Sequence, residues 1–167
     1  VGENAYLNII RHASRYVYIF TPYLIIDNEM MEALCLAAKS GVDIRIVTPG
    51  IPDKKIVYML TKSYYPQLLE AGVRIYHYTP GFIHAKCYVC DDEVGVVGTI
   101  NMDYRSLYLH FECGTYIYNS KAIADLKKDF FDTFEISEEV HEKDRPKKVS
   151  LITMTFKAIL RLFAPLM

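Results

Sequence analysis

Tryptophan is absent from the 167 residues, and cysteine occurs only at Cys35, Cys87, Cys90 and Cys113. Thiols so few and so scattered do not frame a disulfide-stapled fold, and a reducing setting is the simpler reading. Cys87 and Cys90 match C-x-x-C. On a strand, however, residues three apart point to opposite faces, so the pair reads as structural. No second C-x-x-C or paired histidine is present to complete a zinc site. An excess of one charge is also lacking: 19 Lys and Arg stand against 20 Asp and Glu, a formal net charge of −1. That balance argues against a dedicated nucleic-acid binder, which usually shows a basic excess. No apolar run reaches the roughly 20 residues of a spanning helix. Repeats and low-complexity segments are missing as well. The chain starts at Val1 with neither a signal-peptide pattern nor an initiator Met, which leads to the expectation of a piece of a longer protein.

What is present suits one domain with a real core, with 51% hydrophobic and 23% charged residues. Apolar residues at Tyr6, Ile9, Ile10 and Ala13 have helical spacing. Tyr16 to Phe20 reads as a buried strand, ended at Thr21-Pro22. Asp27 or Asn28 caps a helix to about Lys39, closed by Ser40-Gly41. Asp43 to Thr48 alternates as a strand. Pro52-Asp53 opens a helical region to Glu70, broken near Pro66, and Val73 to Tyr78 is the next strand. Strand, helix, strand, helix, strand implies parallel pairing under helices. Phe82 to Cys90 and Val94 to Gly98 then read as an antiparallel hairpin around Asp91-Asp92-Glu93. A short helical or irregular piece carries Asn101 to Ser106, a strand runs from about Tyr108 to Tyr118, and Asn119-Ser120 caps a last helix with Ile123, Leu126, Phe130 and Phe134 inward. The fold class is therefore α/β, a mixed sheet sandwiched between helices. Residues 1–136 form the domain and 137–149 a charged, solvated linker. Residues 150–167 form an amphipathic helix, docked on the core or lying at a membrane interface.

The chemistry concentrates between His84 and Glu112. His84 and Lys86, two apart on a strand, leave the same face. Thr99 and Asn101 share a face if extended, and Glu112 can lie beside them from a later strand. An imidazole, an ammonium, an amide, a hydroxyl and a carboxylate in one pocket suit a phosphodiester and call for no metal. Lysine and asparagine neutralise the non-bridging oxygens, most strongly where charge builds in the transition state. Histidine can attack phosphorus and form a covalent intermediate. A carboxylate on its other nitrogen would fix the tautomer. Asp91 lies seven residues from His84, about 23 Å at strand rise, and at the hairpin turn. Fixing that turn suits it better, which leaves Glu112 as the orienting acid. His110 shares the parity of Glu112 and could approach the site.

The spacing H-x-K-x4-D-x6-G-T-x-N, with Arg105-Ser106 and Glu112 beyond it, resembles the signature of the phospholipase D superfamily. Thr21-Pro22-Tyr23, Ser63-Tyr64-Tyr65, Leu68 to Tyr76, Pro80-Gly81-Phe82 and Asn101-x-Asp103-x-Arg105-Ser106 are similar to the C-terminal half of bacterial cardiolipin synthases, over nearly the whole chain. The resemblance implies a phospholipase D-like half. It implies catalytic roles for His84, Lys86, Asp91 and Glu112, phosphate binding by Lys86, Thr99 and Asn101, and supporting places for His110, Arg105 and Ser106. The family usually has asparagine where this chain has His110. No cofactor is implied. The implied reaction transfers a phosphatidyl group between two phosphatidylglycerol molecules to give cardiolipin and glycerol, through a phosphohistidine, with one H-x-K supplying the nucleophile and a second the general acid, so that His84 is nucleophile or acid. His12, His77 and His141 have no lysine two residues on. The motif is thus a half-site, completed by an N-terminal half or by a symmetric second copy. The implied location is the bacterial cell membrane, with the catalytic domain facing the cytoplasm and this stretch soluble or peripheral.

Two rivals remain: a single-motif phosphodiesterase or endonuclease built as a homodimer, and a catalytically silent lipid-binding module. Length favours the first rival, whereas net charge and the apolar C-terminal stretch oppose it. The intact His84, Lys86, Asn101 and Glu112 count against the second. The expected partners are phospholipid and the membrane surface, not nucleic acid.

Overall fold

The computed structural model describes residues 1–142 together with Thr155, Leu160 and Leu162. The sheet begins where the sequence is most aromatic and β-branched. β1 (Tyr16–Phe20) is buried on both faces and lies between β3 (Asp43–Pro49) and β5 (Cys87–Cys90). The seven strands run in the order β8-β6-β5-β1-β3-β4-β9, where β4 is Arg74–Tyr78, β6 Val94–Gly98, β8 Gly114–Tyr118 and β9 Ser137–Val140. β1, β3 and β4 are parallel and the remaining pairs antiparallel. Three helices, α1 (Gly2–His12), α2 (Asn28–Lys39) and α3 (Lys55–Glu70), share one core with Val17, Ile19, Ile44, Ile46 and Ile75. α4 (Ala122–Glu135) covers the other face through Ile123 and Phe130, against Tyr18, Phe20 and Val89. The expected mixed sheet between helices is the observed architecture.

Local chemistry explains the element ends. Asp27 caps α2 by accepting from the Met30 N–H at 2.8 Å, and Gly41 at φ +97° takes the left-handed position that follows the helix. α3 is not broken at Pro66. One N–H is lost there, but buried Tyr64, Tyr65 and Leu68 hold the helix to the core on both sides. Two expected strands are shorter than their sequences suggest. Residues 82–86 are irregular, so β5 starts only at Cys87. Between Asp103 and Gly114 the chain does not run extended: Arg105–Leu109 forms one π-turn, closed by the His110 N–H on the Arg105 carbonyl at 2.7 Å. The hydroxyl of Tyr108 sits between the carboxyl groups of Glu3 and Asp27, tying this turn to the starts of α1 and α2. A second, two-stranded parallel sheet joins β2 (Leu24–Ile25) to β7 (Met102–Asp103).

The expected linker also needs correction. Its first four residues are β9, the antiparallel neighbour of β4. Arg74 grips Glu139 with two parallel bonds of 2.8 Å, so a charged segment can close the sheet edge without an apolar face. The rest of that linker from residue 143, and the expected C-terminal helix, lie outside the described residues apart from three positions. Of these, Leu160 is buried with the core and Leu162 is exposed. Cys87 and Cys90 fall in opposite cores, as strand alternation requires.

The hairpin β5–β6 is pinned at its turn. Asp91 and Asp92 both have positive φ, 53° and 63°, the left-handed pair of a tight hairpin. The Asp91 carboxylate accepts from the Ser14 N–H and hydroxyl and from the Arg15 and Tyr16 N–H groups at 2.7–3.0 Å. Burial raises its pKa, but these donors outweigh burial and hold it below the usual carboxylate range. Replacing Asp91 by Ala is expected to cost about 2–4 kcal/mol, read from the denaturant midpoint, because it strands buried donors. The same carboxylate stabilises the fold fully above its unfolded pKa. Its contribution fades as pH falls through the lower folded value, so Asp91→Asn should flatten the acid limb of stability below about pH 4.

Candidate functional site

β5 and β6 deliver their ends to the same place. The Gly98 N–H reaches the Lys86 carbonyl at 3.1 Å, which extends the ladder by one residue beyond β5. Gly98 faces Gly114 across β6–β8, and a Cβ on Gly98 would stand 2.4 Å from the Cys113 carbonyl oxygen. Only glycine permits that approach. It seats Thr99 against Cys113, with the Thr99 N–H on the Cys113 carbonyl at 2.8 Å. On the other side, the Thr21 hydroxyl accepts from the Met102 N–H at 3.2 Å, and β2–β7 fixes the backbone beside Asn101.

His84 is exposed and Lys86 is buried at its side. The ammonium donates to His84 Nδ1 at 3.0 Å and to the His84 carbonyl at 2.6 Å. An ammonium has no lone pair, so Nδ1 must be the acceptor and the proton of a neutral ring sits on Nε2. Burial lowers the Lys86 pKa; the nearby Glu112 and Asp103 carboxylates oppose this and favour the charged form.

The structure does not place Glu112 on the imidazole. Its carboxylate is bonded by the Thr99 hydroxyl and lies 3.8 Å from His110 Nδ1. Thr99, expected on phosphate, here positions Glu112. Asp91 is occupied at the start of β1 and takes no part in this cluster, so the motif aspartate serves as a structural anchor. Asn101 donates to the Ser106 hydroxyl at 3.0 Å, and its other amide atom is buried without a partner. Which amide atom is oxygen is set by the bonding network, and Ser106 can accept or donate. In the flipped orientation it is an N–H that is buried without a partner. Asp103 accepts from the Ser106 N–H at 2.8 Å and so holds that partner in place.

Asn101, Asp103, Ser106 and Glu112 of this cluster, with Tyr23, Lys54, Arg105 and His110, line a cleft of about 240 Å³; His84, Lys86 and Thr99 do not line it. Arg105, Ser106 and His110 all line this cleft, and a π-turn, not strand parity, brings His110 there. Lys54 and Tyr23 were not foreseen as lining residues; Tyr23 lay inside a recognisable Thr-Pro-Tyr run, but nothing marked Lys54. A larger cleft of about 680 Å³ between α1, α2 and α3 contains none of the candidate residues.

Residues 6–133 match the family described as cardiolipin synthase, PLD-like domain. The chain is 42% identical to a cardiolipin synthase of Clostridium perfringens over 99% of its own length and 34% of that protein. It is 39% identical to cardiolipin synthase 2 of Bacillus anthracis over 99% and 32%. An uncharacterized protein of Streptococcus mutans is 52% identical over the whole chain and 36% of its own length. The chain therefore spans about a third of these relatives. In fold it is similar to Nuc of Salmonella typhimurium, a phospholipase D family member, with TM-score 0.74, 18% identity, 84% of this chain and 91% of that one. It is similar also to phosphatidylserine synthase of Haemophilus influenzae, with TM-score 0.71, 16% identity, 98% of this chain and 42% of that one. The fold, the motif spacing and a family match across most of its length agree: the chain belongs to the phospholipase D-like domain family of cardiolipin synthases.

Proposed function

We propose that this chain forms one half of the site of a phosphatidyltransferase that makes cardiolipin from two phosphatidylglycerol molecules. The observation that carries the reading is the Lys86–His84 pair, a buried ammonium 3.0 Å from an exposed imidazole. Lys86 and Asn101 hold the non-bridging oxygens. With Nε2 protonated, His84 is set to donate. A histidine of the other half attacks phosphorus, the bond to glycerol breaks, and the Nε2 proton of His84 passes to the leaving alkoxide as the Lys86 ammonium hands a proton to Nδ1, so that the ring stays neutral. In the second step the hydroxyl of another phosphatidylglycerol gives its proton to His84 Nε2, Nδ1 returns its proton to Lys86, and the alkoxide attacks the phosphohistidine, which releases cardiolipin and the free histidine. Glu112, held by the Thr99 hydroxyl, opposes the effect of burial on Lys86 and favours its charged form.

The edge next to the site supports a second half. Among the described residues β8 ends the sheet with Tyr116 and Tyr118 exposed, Val97 is exposed on β6, and exposed Leu109 and fully exposed Phe111 precede Glu112. An open strand edge with this much aromatic surface calls for a cover. We assign that cover to the other phospholipase D-like half. A second way of completing the site follows from Nuc, whose chain is matched over 91% of its length by this one unit: a symmetric pair of single-motif chains. The membrane-surface location belongs to the same proposal; among the described residues no helix is long and apolar enough to cross a membrane.

In a protein containing both halves, His84→Ala should lower glycerol release from phosphatidylglycerol vesicles on the order of 10³-fold. Lys86→Met should do so on the order of 10²-fold while thermal stability stays within a few degrees. Unchanged glycerol release from His84→Ala would exclude the mechanism. Light scattering behind a sizing column separates the two ways of completing the site: a monomer places the second histidine elsewhere in a longer polypeptide, and a tight dimer favours the symmetric pair. If the dimer acts on nucleic acid, binding should weaken steeply with salt through counterion release, whereas apolar lipid contact persists.

A further inference from the structure

α2 and α3 begin in opposite ways. α2 follows the electrostatics of a helix start, with Asp27 as cap and Glu29 in the first turn. α3 has Lys54 at the cap position and Lys55 as its first residue, with no acid in the first turn and no side chain bonded to its free N–H groups. Two ammonium groups therefore sit at the positive end of a helix, where they repel the dipole and reinforce an attraction for anions. They are framed by apolar surface: Ile51 and Ile56 are each about half exposed, and every residue from Ile51 to Ile56 is exposed.

This run borders the cleft. Lys54 lines it together with Asn101 and Glu112. Asp53, the one acid in the run, is turned back onto the Tyr23 hydroxyl at 3.0 Å. The Tyr23 ring lies 6.5 Å from Phe82, which is itself exposed and 6.0 Å from the His84 ring. An apolar and cationic rim thus leads from the helix start to the catalytic imidazole.

We propose that the segment Ile51–Ile56, with Phe82, is a membrane-contact rim that seats the cleft on an anionic phospholipid surface. Lys54 and Lys55 meet lipid phosphates, while Ile51, Ile56 and Phe82 enter the acyl boundary. The proposal rests on the phosphatidyltransferase reading for its substrate, but not for its binding test. The composition favours lipid over a protein partner, because the cores of protein interfaces are depleted in lysine. Interfacial membrane segments instead combine lysines with large apolar side chains.

The test is flotation of the chain with phosphatidylcholine vesicles, with and without phosphatidylglycerol. Binding is expected only with the anionic lipid. The Ile51→Ser/Ile56→Ser double variant should bind about tenfold more weakly. Lys55→Gln should bind about fivefold more weakly at low salt and less so at high salt. Unchanged melting temperatures show that these exposed substitutions leave the fold intact. Undiminished binding by the double variant overturns the proposal, as does binding that instead disappears on removal of residues 151–167. A protein containing both halves then separates this idea from the chemistry. The double variant should turn over water-soluble bis(4-nitrophenyl) phosphate like the parent yet lose turnover of vesicle lipid. Equal loss on both substrates sinks the rim. No soluble turnover by the parent sinks the phosphodiester reading and leaves flotation to decide the rim.

Discussion

A single buried carboxylate holds the frame on which the site is built. Asp91 gathers three backbone N–H groups and a hydroxyl from residues 14–16, at the point where α1 gives way to β1. Those donors would otherwise be unpaired at the end of a strand buried on both faces. The bonds lock the turn of the β5–β6 hairpin onto the start of β1 and so set the register Val17↔Cys90 through Phe20↔Cys87. With that register fixed, the open end of the hairpin must emerge where β1 ends. His84 and Lys86 stand at one of its ends and Thr99 at the other. The motif aspartate and the motif histidine are therefore joined through a rigid ladder rather than by contact, and a spacing that reads as one active-site signature divides into an anchor and a working end.

The parallel half of the sheet supplies the opposite wall. β1, β3 and β4 run the same way, so their carboxyl ends collect on one side, and the connections leaving them carry Tyr23, Lys54 and Phe82 towards the cleft. This is where open α/β sheets generally hold ligands. The antiparallel hairpin adds its own open end to the same side. The small β2–β7 sheet and the hydroxyl of Thr21 then bring Asn101 alongside. Each wall is thus set by strand direction, and only the last few residues of each segment are free to differ in chemistry.

The sequence disclosed most of this frame because the frame obeys local rules. Tyr16–Phe20, Asp43–Thr48 and the capped helix after Asp27 were legible from alternation, β-branching and capping, and Cys87 and Cys90 fell on opposite faces as a two-residue period demands. The regions it misjudged are those that tertiary contacts decide. Residues 82–86 have strand-like composition but carry His84 on an irregular path, held by Lys86. Tyr108 to Cys113 also looks extended, yet the turn over Arg105–Leu109 is fixed by Tyr108 reaching two acids far away in sequence. β9 was hidden by its charges, since nothing local announces that Glu139 will find Arg74. Within the site the residue types were legible, but their bonding was not. Glu112 was expected on the imidazole and is held by Thr99 instead, a contact that depends on how closely Gly98 lets β6 and β8 approach.

That bonding bears on how two similar histidines could share one reaction. In a displacement at phosphorus through a phosphohistidine, one ring must offer a lone pair while the other offers a proton, so two identical H-x-K units cannot hold their rings in the same tautomer at the same moment. In the proposed reaction Lys86 would resolve the choice for this half. Its ammonium can only donate, which makes Nδ1 the acceptor and leaves the proton at Nε2, the outward nitrogen. The same ammonium is the group best suited to a phosphate oxygen, and burial together with the carboxylates of Glu112 and Asp103 determines how firmly it remains charged. In the proposed reaction substrate and imidazole would compete for one cation. The strength of that competition, set by Glu112 in the grip of Thr99, would decide when Lys86 passes a proton to Nδ1 and Nε2 releases its own to the leaving alcohol.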